Sequence, residues 1–302
     1  MMPPHFLCLT KRAESGIIII EEQRLRIKRC KMDYIQNLHT HTCYGDGKDT
    51  PEEMLNSAID KGFTSIGFSG HSYMYYAPTH SMSLESTEEY IKQIKALKSK
   101  YSGKIDVYLG LELDMFSKVD LFEYEYLIGS VHYFDIDGEK VGFDRSAAQV
   151  KDVIDTYFCG DGMAYAKRYY ETLSRLPEYA NIDIIGHFDL ITKHCENERF
   201  FDETSKEYLS YAFECARALR GRIPFFEVNT GAISRGYRST PYPSEPILKE
   251  LLRLGFGAVI SSDCHDRNQL ERGFELSREL LLSCGYKERY ILTDSGFTAV
   301  AL

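Results

Sequence analysis

Several features are missing from this chain, and each absence removes a class of function. None of the eight cysteines (Cys8, Cys30, Cys43, Cys159, Cys195, Cys215, Cys264, Cys284) forms a C-x-x-C pair, which speaks against a zinc ribbon or a dithiol redox motif. Reduced thiols in the cytoplasm are the expectation. No apolar run approaches the roughly 18 residues that cross a bilayer; the four residues from Ile17 to Ile20 are followed by no small-residue cleavage site, so neither a membrane span nor a signal peptide is expected. Positive charge is in deficit, with a formal net charge of −9, so the basic face that grips a nucleic-acid backbone is not expected. A small substrate held by local charges is compatible with that balance.

What is present is the composition of a folded protein, 43% hydrophobic and 27% charged over 302 residues, enough to bury a sizeable core. Residues 1–31 carry no pattern beyond a basic stretch (Arg24, Arg26, Lys28, Arg29, Lys31) and are read as an unpatterned extension, with Met32 as an alternative start. Residues 32–302 are read as one domain. From Asp33 onward, short β-branched and aromatic runs alternate with stretches of helical periodicity, the pattern of βα units around a parallel sheet. Seven strands are predicted, over Tyr34–Leu38, Ser65–Phe68, Val107–Leu111, Tyr126–Val131, Ile182–Ile185, Phe225–Val228 and Ala258–Ser261. Helices are expected to open at Thr50 before Pro51, at Thr87 before Glu88 and Glu89, at Asp202, and at Ser244 before Pro246. The stretch Ala147–Leu176 reads as helix broken near Gly160 and Gly162.

Six of the seven strands end in, or within three residues of, a side chain that binds metals: His39 and His41, His71, Glu112, His132, His187, then Asp263 with His265. Asp46 stands close after the first pair. The remaining strand delivers Asn229, with Arg235 and Arg238 shortly after, as candidates for holding substrate. In a closed α/β barrel every one of these positions lies at the C-terminal rim, so residues far apart in sequence converge on one mouth. One H-x-H pair is a weak signal, and one strand-end histidine is more often structural than a ligand; six coincidences of the same kind are harder to explain blandly. Mixed imidazole and carboxylate donors suit zinc, manganese or iron. Nine candidate ligands exceed the need of one ion and point to two or three, with Glu112, read as the lone acid on a central strand, as the natural bridge. Asp189 is expected to cap a helix, the alternative being to orient His187. His80 and His194 are expected to face solvent, the alternative for His80 being to reach the barrel mouth, and thiolate ligation by Cys43 or Cys264 is not expected.

The segments His39-Thr-His41 with Asp46, Gly70-His71, Gly110-Leu-Glu112, Ser130-Val-His132, Gly186-His187-Phe-Asp189 and Ser262-Asp263-Cys-His265 resemble the successive motifs of the PHP superfamily, from about Asp33 to the C-terminus. Val141-Gly-Phe-Asp144, Gly160-Asp161 and Asn229-Thr-Gly through Pro241-Tyr-Pro243 are most similar to the stand-alone histidinol phosphatases of histidine biosynthesis. The resemblance implies a distorted (β/α)7 TIM-like barrel and a centre of three divalent metal ions. His39, His41, Glu112 and Asp263 would hold the first, Asp46, His71 and His265 the second, and Glu112, His132 and His187 the third. Asp46 stands where many members have histidine, and Gly70 where an aspartate is common. The implied activity is hydrolysis of a small phosphate monoester, histidinol phosphate above all, with Asp263 or His265 as proton donor to the leaving alcohol and Arg235 on the phosphate. A nuclease of the same superfamily, an amidohydrolase and a metal-binding regulatory module without catalysis are the rivals. The amidohydrolase lacks its strand-end lysine here, and the complete ligand set speaks against the regulatory module.

Overall fold

The computed structural model describes residues 35–302; the expectations for residues 1–31 lie outside the described residues. In chain order the first strands are β1 (Gln36–Asn37), β2 (Ser65–Phe68), β3 (Asp106–Asp114) and β4 (Tyr126–Ser130). A hairpin of β5 (Tyr133–Ile136) and β6 (Glu139–Gly142) follows, then β7 (Ile184–Ile185), β8 (Phe225–Asn229), β9 (Gly257–Ser261) and a second hairpin of β10 (Glu288–Thr293) and β11 (Gly296–Ala301). Seven of these pair in parallel in the order β1-β2-β3-β4-β7-β8-β9. Past the end of β1 the ring nearly closes: Thr40 bridges Cys264 in parallel, and the His41 N–H donates to the Cys264 carbonyl at 2.9 Å. The architecture is therefore a nearly closed barrel of seven parallel strands with helices in the connections, as expected.

All seven predicted strands occur; Ser65–Phe68 has the predicted bounds, Tyr34 of the first lies outside the described residues, and the ends of the others shift. The third runs on to Asp114 because its last residues still find partners, Glu112 opposite Ile128 and Asp114 opposite Ser130. Although the side chain of the expected cap Ser244 makes no such bond, five α-helices start at a side chain that accepts orphan N–H groups of the first turn. Thr50 does so as expected, in a capping box with Glu53 whose carboxylate accepts the Thr50 N–H at 2.9 Å, opening the helix Pro51–Asp60. Two starts need correction. Ser83, not Thr87, caps the helix Leu84–Lys100 by accepting the Ser86 N–H at 3.0 Å, and Thr87 lies inside it. Ser205, not Asp202, caps Lys206–Leu219; Asp202 accepts the Thr204 N–H in a local turn instead. Asp161 caps Gly162–Leu173 after the predicted break, and Glu245–Leu254 ends at left-handed Gly255. The two antiparallel hairpins were not expected.

The barrel interior below the rim holds Leu38, Tyr108, Tyr126, Ile128, Ile184 and Val259, packed to exclude water. Tyr126 fills its centre between two glycines. A Cβ on Gly110 would lie 2.1 Å from the ring, and one on Gly67 would lie 2.3 Å from the hydroxyl. That hydroxyl donates to the Leu38 carbonyl, the peptide that leads directly into His39. The packed floor therefore also fixes the strand end that carries the first ligands.

Candidate metal centre

Alternation along an extended strand sends His39 and His41 to the same side and Thr40 to the other, where its hydroxyl donates to the Gly67 carbonyl at 2.8 Å and ties the segment to β2. The chain then doubles back. A Cβ on Gly47 would sit 2.5 Å from the His41 carbonyl carbon, so only glycine permits the turn that returns Asp46 to the rim. There Asp46 Oδ1 lies 3.2 Å from His41 Nδ1, and Oδ2 lies 3.2 Å from His265 Nε2 and 3.7 Å from His71 Nε2.

Glu112 occupies the centre, fully buried on β3. Its Oε2 faces His71 Nδ1 at 2.8 Å, His39 Nε2 at 3.3 Å and His41 Nε2 at 3.5 Å. Its Oε1 faces His187 Nε2 at 3.1 Å and His132 Nε2 at 3.5 Å, and accepts the Ser130 hydroxyl at 2.7 Å. Asp263, two residues past β9, closes the ring with Oδ1 3.3 Å from His41 Nε2, while its Oδ2 accepts the Arg235 Nη2–H at 2.9 Å. Asp263 holds φ at 47°, a costly conformation for a residue with a Cβ and one that recurs at functional sites. All nine side chains expected as ligands thus meet at one rim.

Three overlapping groups each bring their donor atoms within 4.8 Å of one another: His41, Asp46, His71 and His265; His39, His41 and Asp263; and His71, Glu112 and His132. His41 and His71 are shared between groups in a way the resemblance did not imply. Burial would push the Glu112 carboxyl up, but His71, His39 and His132 hold it well below the carboxylate range. Burial would lower His71, and Glu112 with Asp46 raise it to about 10. The acids therefore demand positive charge here.

The donor set fits divalent cations. His39 Nε2, His41 Nε2, His71 Nδ1 and Glu112 Oε2 are buried and close together, yet none makes a well-formed hydrogen bond. Leaving each one unsatisfied would cost about 1–3 kcal/mol. Lone-pair donors that face one another instead of pairing are what a cation requires.

Two carboxylates that sequence reasoning missed support the cluster from behind. Glu227 on β8 is fully buried; it accepts His39 Nδ1–H at 2.9 Å, the His187 backbone N–H at 2.7 Å, the Asn229 amide at 2.7 Å and the Ser261 hydroxyl. It fixes the His39 tautomer that leaves Nε2 unprotonated. Asp114 accepts the His132 backbone N–H at 3.2 Å and the Tyr76 hydroxyl at 2.6 Å. Glu112 is therefore not the lone acid on a central strand. The signal lay in Phe-Phe-Glu-Val-Asn, a charged residue inside an apolar strand, which is almost never buried without partners.

Above the cluster opens a cavity of about 450 Å³, with Arg235 on its wall. Two substrate-binding expectations are corrected. Arg238 is buried away from the cavity, donating to the Thr192 carbonyl at 2.9 Å and reaching Glu203 at 3.4 Å. Asn229 is spent on Glu227 and on the Gly231 N–H, which it accepts at 2.8 Å. Asp189 accepts the Ser244 N–H at 2.9 Å and touches no cluster histidine. Contrary to expectation, His194 is buried with Nε2 3.1 Å from the Asp144 carbonyl; His80 takes the alternative and lines the cavity, bonded to Arg145. Burial pushes the Cys264 thiol up to about 12, and the six described cysteines form no disulfide. No helix among the described residues is long and apolar enough to cross a membrane.

The family model for the PHP domain matches residues 37–231. The histidinol-phosphatase of Bacillus subtilis is 25% identical over 262 residues, covering 79% of this chain and 96% of its own. Among solved structures, the histidinol phosphate phosphatase of Lactococcus lactis, complexed with zinc, L-histidinol and phosphate, aligns with a TM-score of 0.66 at 21% identity, over 87% of this chain and 98% of that one. At that identity the likeness establishes the shared fold.

Proposed function

The chain belongs to the PHP domain family, and from that premise we propose that it is a metal-dependent phosphomonoesterase that hydrolyses L-histidinol phosphate to L-histidinol and phosphate. The observation that carries this reading is the arrangement around Glu112, whose two oxygens face different sets of histidines at the floor of a cavity sized for a small molecule. The substrate follows the name borne by the Bacillus subtilis relative, which matches along 96% of its length. The nine rim residues would hold three ions of the zinc, manganese or iron type, with Glu112 facing histidines on both of its oxygens. When bound, such cations supply Lewis acidity toward water and phosphoryl oxygens.

The chain's own residues do the rest. Arg235, anchored by Asp263, presents its guanidinium on the open side, where a phosphate oxygen gaining charge in the transition state would be met. Asp263 and His265 stand beside it, and one of them takes the proton that the attacking water gives up and delivers it to the leaving alcohol oxygen. Glu227 and Asp114 hold His39 and His132 against movement. The place of action is the cytoplasm, where the thiols stay reduced. A polynucleotide is the poorer substrate, because the net charge of −9 repels its backbone.

The test is phosphate release from histidinol phosphate, other phosphomonoesters, a phosphodiester and single-stranded DNA, with metal content measured on the same sample. Histidinol phosphate should give the highest kcat/KM, with more than one divalent ion per chain. Faster cleavage of the diester or of DNA, or no release from any phosphate ester, would overturn the reading.

A further inference from the structure

The cluster and Arg235 account for part of the cavity lining; another part is built differently. Of the four carboxylates that line it, Asp46, Glu112 and Asp263 belong to the cluster and Asp144 does not. Asp144 follows β6 and is three-quarters covered. Lys193 Nζ donates to its Oδ2 at 2.9 Å. Among the described residues no other side chain hydrogen-bonds this carboxylate, so Oδ1 is left without a protein partner in a wall of the cavity. Lys193 is itself held, with its ammonium 5.2 Å from the centre of the Tyr237 ring. Tyr76 and Tyr133, packed edge to face at 4.9 Å, line the same cavity.

We propose that Asp144 forms a cation subsite, its free oxygen taking a primary ammonium on the leaving group while Tyr76 and Tyr133 flank that group's apolar part. The inference rests on the phosphatase reading, which places the phosphate at the cluster. It adds what selects among phosphate monoesters. A half-paired carboxylate in a largely buried wall penalises a leaving group that offers it nothing, because the unmade hydrogen bond costs its full desolvation. Sites with buried polar groups of this kind reject analogues that lack the matching donor more strongly than apolar pockets reject a missing methylene. Lys193 does not cancel the effect, since one carboxylate accepts from two cations on its two oxygens.

The experiment compares kcat/KM for histidinol phosphate and its deamino analogue on the metal-replete full chain, in wild type, Asp144→Asn and Lys193→Met. The wild type should favour the aminated ester by about tenfold or more. Asp144→Asn should lower kcat/KM for that ester by about 10- to 100-fold, and for the deamino analogue by less than about threefold. Lys193→Met, which leaves the carboxylate in place, should keep the preference. Equal losses on both esters in Asp144→Asn, or loss of the preference in Lys193→Met, would overturn the subsite. So would equal use of both esters by the wild type, an outcome that needs no variant to fold and leaves the phosphatase reading intact. Failure of the wild type to cleave either ester would instead overturn that reading, and the subsite with it.

Discussion

Glu112 and Glu227 are both buried glutamates on parallel strands, and they do opposite things with their oxygens. Glu112 keeps Oε2 free of hydrogen bonds amid three imidazoles, whereas both Glu227 oxygens accept several donors. The first is arranged to bind and the second to position. Glu112→Gln keeps the shape but turns one acceptor into a donor that faces histidines on either side. It should lower kcat at least about a thousandfold and reduce the bound metal, with an unchanged circular dichroism spectrum. Retained turnover would remove Glu112 from the centre. Glu227→Gln should cost about 10- to 100-fold in metal affinity, measured by competition with a chelating dye, because His39 loses the charge that fixes its tautomer. Affinity equal to wild type would reduce Glu227 to a core residue. The ligands were legible because they end strands, where side chains of distant segments must meet. Glu227 was not, because it lies inside the strand and acts through His39.

At the scale of elements, the βα alternation was readable because each strand is an apolar run and most of the longer helices carry an amphipathic stripe opened by a capping side chain. The β5–β6 hairpin escaped because only Val131 and His132 separate it from β4, although its turn carries the Asp137-Gly138 pair with positive φ at both residues (51° and 90°) that two-residue hairpins need. The β10–β11 hairpin stands outside the repeating unit, and Gln36 ties it to β1 by bonding both the N–H and the carbonyl of Leu292, at 2.7 and 2.8 Å. No local pattern announces a contact across 256 residues. The close packing of Gly110 and Tyr126 was equally silent, since a strand glycine signals only that something approaches. Adding a methyl there forces Tyr126 off its position, and with it the hydroxyl that holds the peptide before His39. Gly110→Ala should therefore destabilise the protein by about 2–3 kcal/mol in urea unfolding and also lower metal affinity. Full stability would mean that the ring has room the packing does not show.

At the scale of the whole molecule, the barrel is held at its rim by groups that repel or strand one another unless something positive sits among them. Three carboxylates and six imidazoles converge from six strand ends, and several of their buried atoms lack hydrogen-bond geometry. The rim is also where the ring closes, through Thr40 and Cys264, which are neighbours of the ligands His39, His41, Asp263 and His265. Ions that bind the folded rim and not the unfolded chain must then stabilise the entire fold, by about 2.7 kcal/mol for each site filled at a hundred times its dissociation constant. For a domain of this size 1 kcal/mol moves Tm by roughly 2–4 °C. Exhaustive chelation should accordingly lower Tm by about 5–10 °C for one site and more for several, with recovery on returning zinc or manganese, as read by differential scanning calorimetry. The shift should be smaller in Glu112→Gln, whose rim has lost a carboxylate that faces histidines on both of its oxygens but keeps the group around Asp46. A wild-type Tm indifferent to chelation would mean that the unpaired atoms are satisfied without cations, and the metal centre would fall with that result.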